Sequence, residues 1–209
     1  MKRFIVINKQ HIYNQPMKKL SAYLFLVLFS FSASSFADDI RDFQIEGISI
    51  GDSTLDFFSE EEIKNNLQLQ YYPNIKDKKF ILAEFYKFPF FQIYDSLQIV
   101  FKTNDKKYKI YAIHGAIFYG ENIDDCYKKV DETAEELSGI FKDAERNDFQ
   151  FLKHSADKSG KSTYSGVTFY LKKGIASVHC YDYSKDMPYT DNLRINLKTQ
   201  EFENWLWTD

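Results

Sequence analysis

Between Ile123 and Phe141 the apolar residues recur at steps of three and four, while on either side of this segment they recur mostly at steps of two. Ile123, Cys126, Val130, Ala134, Leu137, Ile140 and Phe141 draw one stripe on one face of a helix, and the opposite face is rich in Lys and Glu and should be wet. Asn122 is placed to cap it, with Asp124 and Asp125 in the first turn, where negative charge suits the helix dipole. The period-two stretches read as strands. They are Phe80 to Phe88, stopped by Pro89, then Leu97-x-Ile99-x-Phe101, Tyr108 to Tyr119, Phe149 to His154, Val167 to Lys172, Ile175 to Tyr183 and Leu193-x-Ile195-x-Leu197. Short polar links join several of them. Asn104 to Lys107 is one, and Lys172-Lys173-Gly174 is another, with a glycine available for positive φ. Hairpins dominate and βαβ alternation is missing, so the fold class is α+β: a mostly antiparallel sheet with one long amphipathic helix and one or two short helices.

Two short helices carry start signals. Ser59 followed by Glu62 forms a capping-box pattern, which predicts a helix from Glu60 to Asn66 with room to reach back through Leu55 and Phe58. Thr199 can cap a terminal helix whose Phe202, Trp205 and Leu206 would dock on the sheet. Ile45 to Asp52 reads as a strand ending in a turn at Gly51-Asp52. That stretch and Ile113-x-Gly115 to Gly120-Glu121 echo each other only imperfectly, so a single domain is expected.

Met17-Lys18-Lys19, an apolar run from Leu20 to Phe31 and a small-residue stretch ending in Ser35-Phe36-Ala37 follow the order of a secretory signal. The apolar run is shorter than the roughly 20 residues a membrane span needs. The organisation expected is therefore an upstream extension over residues 1–16, a signal peptide over 17–37 cleaved after Ala37, and one exported domain over 38–209. Met17 would then be the start, and a Met1 start with a long basic leader is the other reading. All five cations of residues 1–37 go with the signal, leaving 22 cations against 30 anions, a net of −8 on the exported part. That acidity argues against nucleic acid and against anionic lipid, both of which need clustered Lys and Arg. The expected location is the periplasm or the medium, with no membrane span in the mature form.

The two cysteines fit that compartment. Cys126 lies on the helix stripe, and Cys180 shares a strand face with Ala176 and Val178, small enough for a helix to pack close. A helix-to-sheet disulfide is the expectation, worth about 3 to 4 kcal/mol by constraining the unfolded chain. Two buried free thiols are the other possibility. A catalytic Cys180 is disfavoured because His179, its neighbour in a strand, points the opposite way.

Chemistry-bearing motifs are weak. Gly160-Lys161-Ser162 looks like the end of a phosphate loop, but Ser155 stands where the first glycine belongs, so it reads as a solvated loop. His114, His154 and His179 show no zinc-ligand spacing and read as sheet histidines. No Gly-x-Ser-x-Gly elbow is present. No catalytic residue, metal ligand or cofactor is assigned. The aromatic clusters Tyr71-Tyr72, Phe88-Pro89-Phe90-Phe91 and Tyr181-x-Tyr183 remain, in a chain with 20 Phe and 15 Tyr. Most of these rings should pack the core. Phe90, Phe91, Tyr71 and Tyr72 are the candidates for ligand or partner contact, since aromatic anchors are favoured at interfaces.

The stretches Gly47-Ile-Ser-Ile-Gly51-Asp52-Ser53, Phe58-Ser-Glu-Glu-Glu-Ile63 and Asp157-Lys-Ser-Gly160-Lys161-Ser162 resemble those of an uncharacterised family of small exported bacterial proteins, over residues 43–207. The resemblance implies export and brings no activity, cofactor or site residue. The expected function is an exported, non-enzymatic module of the cell envelope that binds another envelope protein or a small ligand. The alternative is an exported hydrolase whose polar groups converge only in the fold.

Overall fold

A computed structural model describes residues 39–207 apart from 70, 73, 74 and 121. The signal, its cleavage point and both candidate starts lie outside the described residues.

After a 3-10 turn at Ile40–Asp42, a two-stranded hairpin pairs β1 (Gln44–Ile45) with β2 (Ile48–Ser49). The expected single strand is thus folded back on itself. Its turn residues Glu46 and Gly47 take φ of +52° and +79°, the twist a two-residue hairpin requires. A second 3-10 turn, Thr54–Asp56, precedes helix α1 (Glu60–Asn65). Ser59 and Glu62 form the expected capping box, and the extended Ser59 backbone stops the helix from reaching back to Leu55.

Seven strands follow: β3 (Phe80–Tyr86), β4 (Ser96–Lys102), β5 (Ile110–Phe118), β6 (Glu145–Lys153), β7 (Thr163–Leu171), β8 (Gly174–Asp182) and β9 (Asn192–Thr199). They form one antiparallel sheet in the order β3-β4-β5-β9-β8-β7-β6. The fold class is α+β. The last strand lies in the middle, so β9 touches residues brought from both halves of the chain.

Helix α2 (Ile123–Ile140) links β5 to β6 and lies across one sheet face, and helix α3 (Gln200–Leu206) lies on the other. The α2 stripe buries Cys126, Val130, Ala134 and Leu137 as patterned, together with Lys129 and Thr133. Asn122 does not cap the helix: its amide donates to Asp125 instead of its oxygen accepting a backbone N–H. Thr199 does cap α3, accepting from the Phe202 amide. Cys126 and Cys180 form a disulfide with Cα atoms 5.9 Å apart, both fully buried. Ala176 and Val178 provide the close approach that the bond needs.

Gly174 is not at a positive φ, contrary to expectation. A Cβ there would sit 2.4 Å from the Lys198 carbonyl oxygen and 2.7 Å from the Ile40 side chain, so the glycine is needed for space. β6 starts four residues earlier than its apolar pattern suggests. As an edge strand, it holds Glu145 to Asp148 in the sheet by backbone pairing with β7, with Arg146 also reaching Glu135 and Ser138 of α2. Gly160-Lys161-Ser162 lies in the β6–β7 loop, and Ser162 is buried there, not solvated. Its amide and hydroxyl both donate to Asp157 Oδ2, at 2.8 and 2.6 Å. No described helix is long and apolar enough to cross a membrane.

Candidate functional site

Strand alternation sends residues 97, 99, 113, 178, 180, 193, 195 and 197 towards α2, and their neighbours to the opposite face. That second face falls into two parts. At one end Phe80, Leu82, Val100 and Ala112 pack under Phe202 and Trp205 of α3. Beyond α3 the face turns polar and aromatic.

Register defines its rows. Glu84, Gln98, His114, Asn196, Ser177 and Thr168 are consecutive cross-strand partners from β3 to β7. The next row reads Tyr86, Ser96, Ala116, Arg194, His179 and Gly166. Gly166 is forced: a Cβ would lie 2.2 Å from the Val178 carbonyl oxygen and 2.8 Å from the His179 ring. His179 therefore occupies space that a side chain at 166 would need.

Arg194 stands at the centre. Its Nη1 donates to Tyr71 Oη and Gln98 Oε1, both at 3.3 Å, and its guanidinium lies 5.5 Å from the centre of the Tyr181 ring. Gln98 passes on to Glu84 through a 2.9 Å bond. Nε is buried and has no acceptor, and no carboxylate pairs with Arg194 among the described residues. Neighbouring side chains crowd the guanidinium, yet the residue as a whole stays only partly buried. The other cation of this strand face, Lys198, is matched by Glu203 of α3.

A column of tyrosines flanks the arginine. Tyr164 and Tyr181 stack with centroids 5.5 Å apart, Tyr181 and Tyr183 at 5.8 Å, and Tyr189 leans on Tyr183 at 5.0 Å. On the other side Tyr86 and Phe118 lie near-parallel at 6.5 Å. Tyr71, Tyr86, Phe118 and Tyr189 are exposed at 40, 53, 37 and 55%. Four large rings left in water around one arginine are unusual for a surface that has only to stay soluble.

Burial and then the Arg194 charge push His114 and His179 down, each to about 3. (For His179 the Lys198 charge ranks just ahead of Arg194.) Their partners are neutral. His114 Nδ1 bonds Asn196 Oδ1 at 2.8 Å, and His179 reaches Thr168 and Tyr181. Burial pushes Tyr181 up to about 12. His154, also lowered by burial, packs against Tyr183, with its Nδ1 buried and unsatisfied. No cluster of three His, Cys, Asp or Glu suited to a metal occurs among the described residues.

The four rings proposed for contact are dispersed. Tyr71 joins the Arg194 site. Tyr72 turns under α3, between Phe202 and Trp205. Phe90 and Phe91 lie half-buried on Phe58 and Phe88, in the cluster on the α2 face. Sequence reasoning missed Arg194, Tyr86 and Phe118. The alternation Leu193-Arg-Ile195-Asn-Leu197 already sends Arg194 away from the core, but only the register across five strands shows what surrounds it. Comparison with family models, with curated proteins and with solved structures finds no match to this chain.

Proposed function

We propose that this chain is an exported binding module of the cell envelope, periplasmic or secreted, and that it binds through the sheet face centred on Arg194. The observation that carries the reading is the arginine itself. A guanidinium set among rings, with a buried Nε lacking an acceptor and no carboxylate partner among the described residues, leaves hydrogen-bonding capacity unused. Proteins rarely leave such a group unmet without a functional reason. Arg and Tyr are also the residues that dominate binding surfaces. The buried disulfide supports an oxidising compartment. The histidines support binding over hydrolysis, since groups held neutral down to about pH 3 are weak proton acceptors at neutral pH.

The test is aromatic-region NMR of the mature protein against a small-molecule extract of the compartment that receives it. Shifts should cluster on Tyr71, Tyr86, Phe118 and Tyr189, and should disappear in a Tyr86→Ser, Phe118→Ser double variant that keeps its fold. Shifts confined to the Phe90–Phe91 side would move the site to the other face.

A further inference from the structure

We propose that the group this face recognises is a single carboxylate, taken by Arg194 and presented on a small ligand with a flat or apolar ring. The inference rests on the binding reading above and narrows its ligand class.

Charge count comes first. Arg194 is the one cation of the aromatic patch with no acid partner among the described residues, because Lys198 is matched by Glu203. One unmatched guanidinium balances one negative charge. Glu84 is held two bonds away through Gln98, so a dianion would meet a standing negative charge as well. Phosphate sites gather several cations or a nest of backbone N–H groups. Here the floor is sheet, whose backbone groups are already paired between strands.

Donor geometry is second. Nη1 is engaged, at a long 3.3 Å, with two neutral oxygens. Nε is unengaged, and no described residue bonds Nη2. Nε and Nη2 form the edge of a guanidinium that meets a planar carboxylate with two parallel bonds. Nε is buried, so a carboxylate that takes both bonds must displace the side chains packed around the guanidinium.

The rings are third. Phe118 and Tyr86 stand on the β5–β3 side of Arg194. Ser96 and Ala116 lie between Tyr86 and the arginine in the row and are fully covered by the side chains around them, so a ligand ring would rest on the exposed rings of Tyr86 and Phe118. The distance from the β9 strand to the β3 strand is roughly 15 Å at strand spacing, a span that a carboxylate at Arg194 and a ring on Tyr86 and Phe118 can bridge.

The experiment titrates the mature protein with benzoate, benzyl alcohol and phenyl phosphate at fixed ionic strength. It follows the Arg194 Nε–Hε resonance and the Tyr86 and Phe118 ring signals. Benzoate should shift all three saturably and bind at least tenfold more tightly than benzyl alcohol. Arg194→Lys should abolish that advantage while ring shifts with benzyl alcohol persist, because an ammonium cannot make the paired bonds. Arg194→Gln serves as a second variant in case Arg194→Lys unfolds: it removes the charge and the paired donors, and should likewise bind benzoate no more tightly than benzyl alcohol. Equal affinity for benzoate and benzyl alcohol, or tighter binding of phenyl phosphate, would overturn the carboxylate assignment and leave the binding face standing. Absence of ring shifts with all three probes would remove both.

Discussion

Glu46 poses two opposing effects at one residue, and replacing it decides between them. Its φ of +52° is left-handed, a conformation that costs a side-chain-bearing residue about 1 kcal/mol and a glycine almost nothing. Its carboxylate works the other way. Oε1 accepts the amides of Gln92, Ile93 and Tyr94 at 2.9, 2.7 and 2.9 Å, which pins the β3–β4 loop to the first hairpin. A hydrogen bond to a charged group is worth about 1.5–3 kcal/mol, and three bonds that share one oxygen are less than additive, so about 3 kcal/mol serves for the set. Glu46→Gly should therefore gain about 1 and lose about 3 kcal/mol, a net loss of about 2, which lowers Tm by about 4–8 °C in a domain of this size. Glu46→Gln keeps an oxygen and the strained φ but loses the charge, and should fall between the two. Thermal and urea unfolding of the oxidised protein give the order wild type, Gln, Gly. Hydrogen exchange at the Ile93 and Tyr94 amides should speed up in the same order. A Glu46→Gly protein as stable as wild type would refute the reasoning, because backbone strain would then outweigh the clamp.

Other perturbations test other parts of the structure. Replacing Cys126 and Cys180 together by Ser should lower stability by about 4 kcal/mol in urea unfolding, because the bond closes a 54-residue separation; a loss under 1 kcal/mol would mean the unfolded chain is not constrained by it. His114 and His179 are neutral when folded and held at about 3, below the ordinary value near 6.5. The unfolded chain therefore binds more protons than the folded one between those values. Stability should be full above about pH 7.5 and fall by about 2–4 kcal/mol from pH 7 to pH 5, with a shallower fall in His179→Gln; a flat profile over that range would contradict the burial of the two rings. Gly166→Ala places a methyl against the rigid Val178 carbonyl and should cost about 3 kcal/mol or more by thermal unfolding; a neutral result would place the β7–β8 register in error.

Periodicity made the frame legible. The α2 stripe faces the sheet, and the runs of β4, β5, β7, β8 and β9 send their apolar residues to the face under α2, which is what a repeat of two or 3.6 records. Glu145 to Asp148 carry no such record, because this edge strand is exposed on both sides and is held by backbone bonds and by Arg146, a polar side chain whose reach to α2 no apolar repeat records. Glycines at 51 and 174 announced turns, but not whether the need was positive φ or space, and Gly47, read inside a strand, proved to be a hairpin turn. The site was less legible still. Arg194, Gln98 and Tyr86 come from three different strands, and Tyr71 comes from a loop. Their meeting depends on pairing register, which side-chain pattern alone does not encode. Phe90 and Phe91, expected to be partly exposed after Pro89, are partly exposed, with Phe58 covering the rest from the other side.

The central claim is that the Arg194 face is occupied where the protein works. Radical footprinting of the side chains, on protein in its native extract and on the same protein purified alone, tests it most directly. The account predicts several-fold protection of Tyr71, Tyr86, Phe118 and Tyr189 in the extract, with Phe151 and Trp207, exposed elsewhere, reacting equally in both. Equal reactivity of the four rings in the two samples, or protection that falls on Phe90 and Phe91 instead, would contradict it.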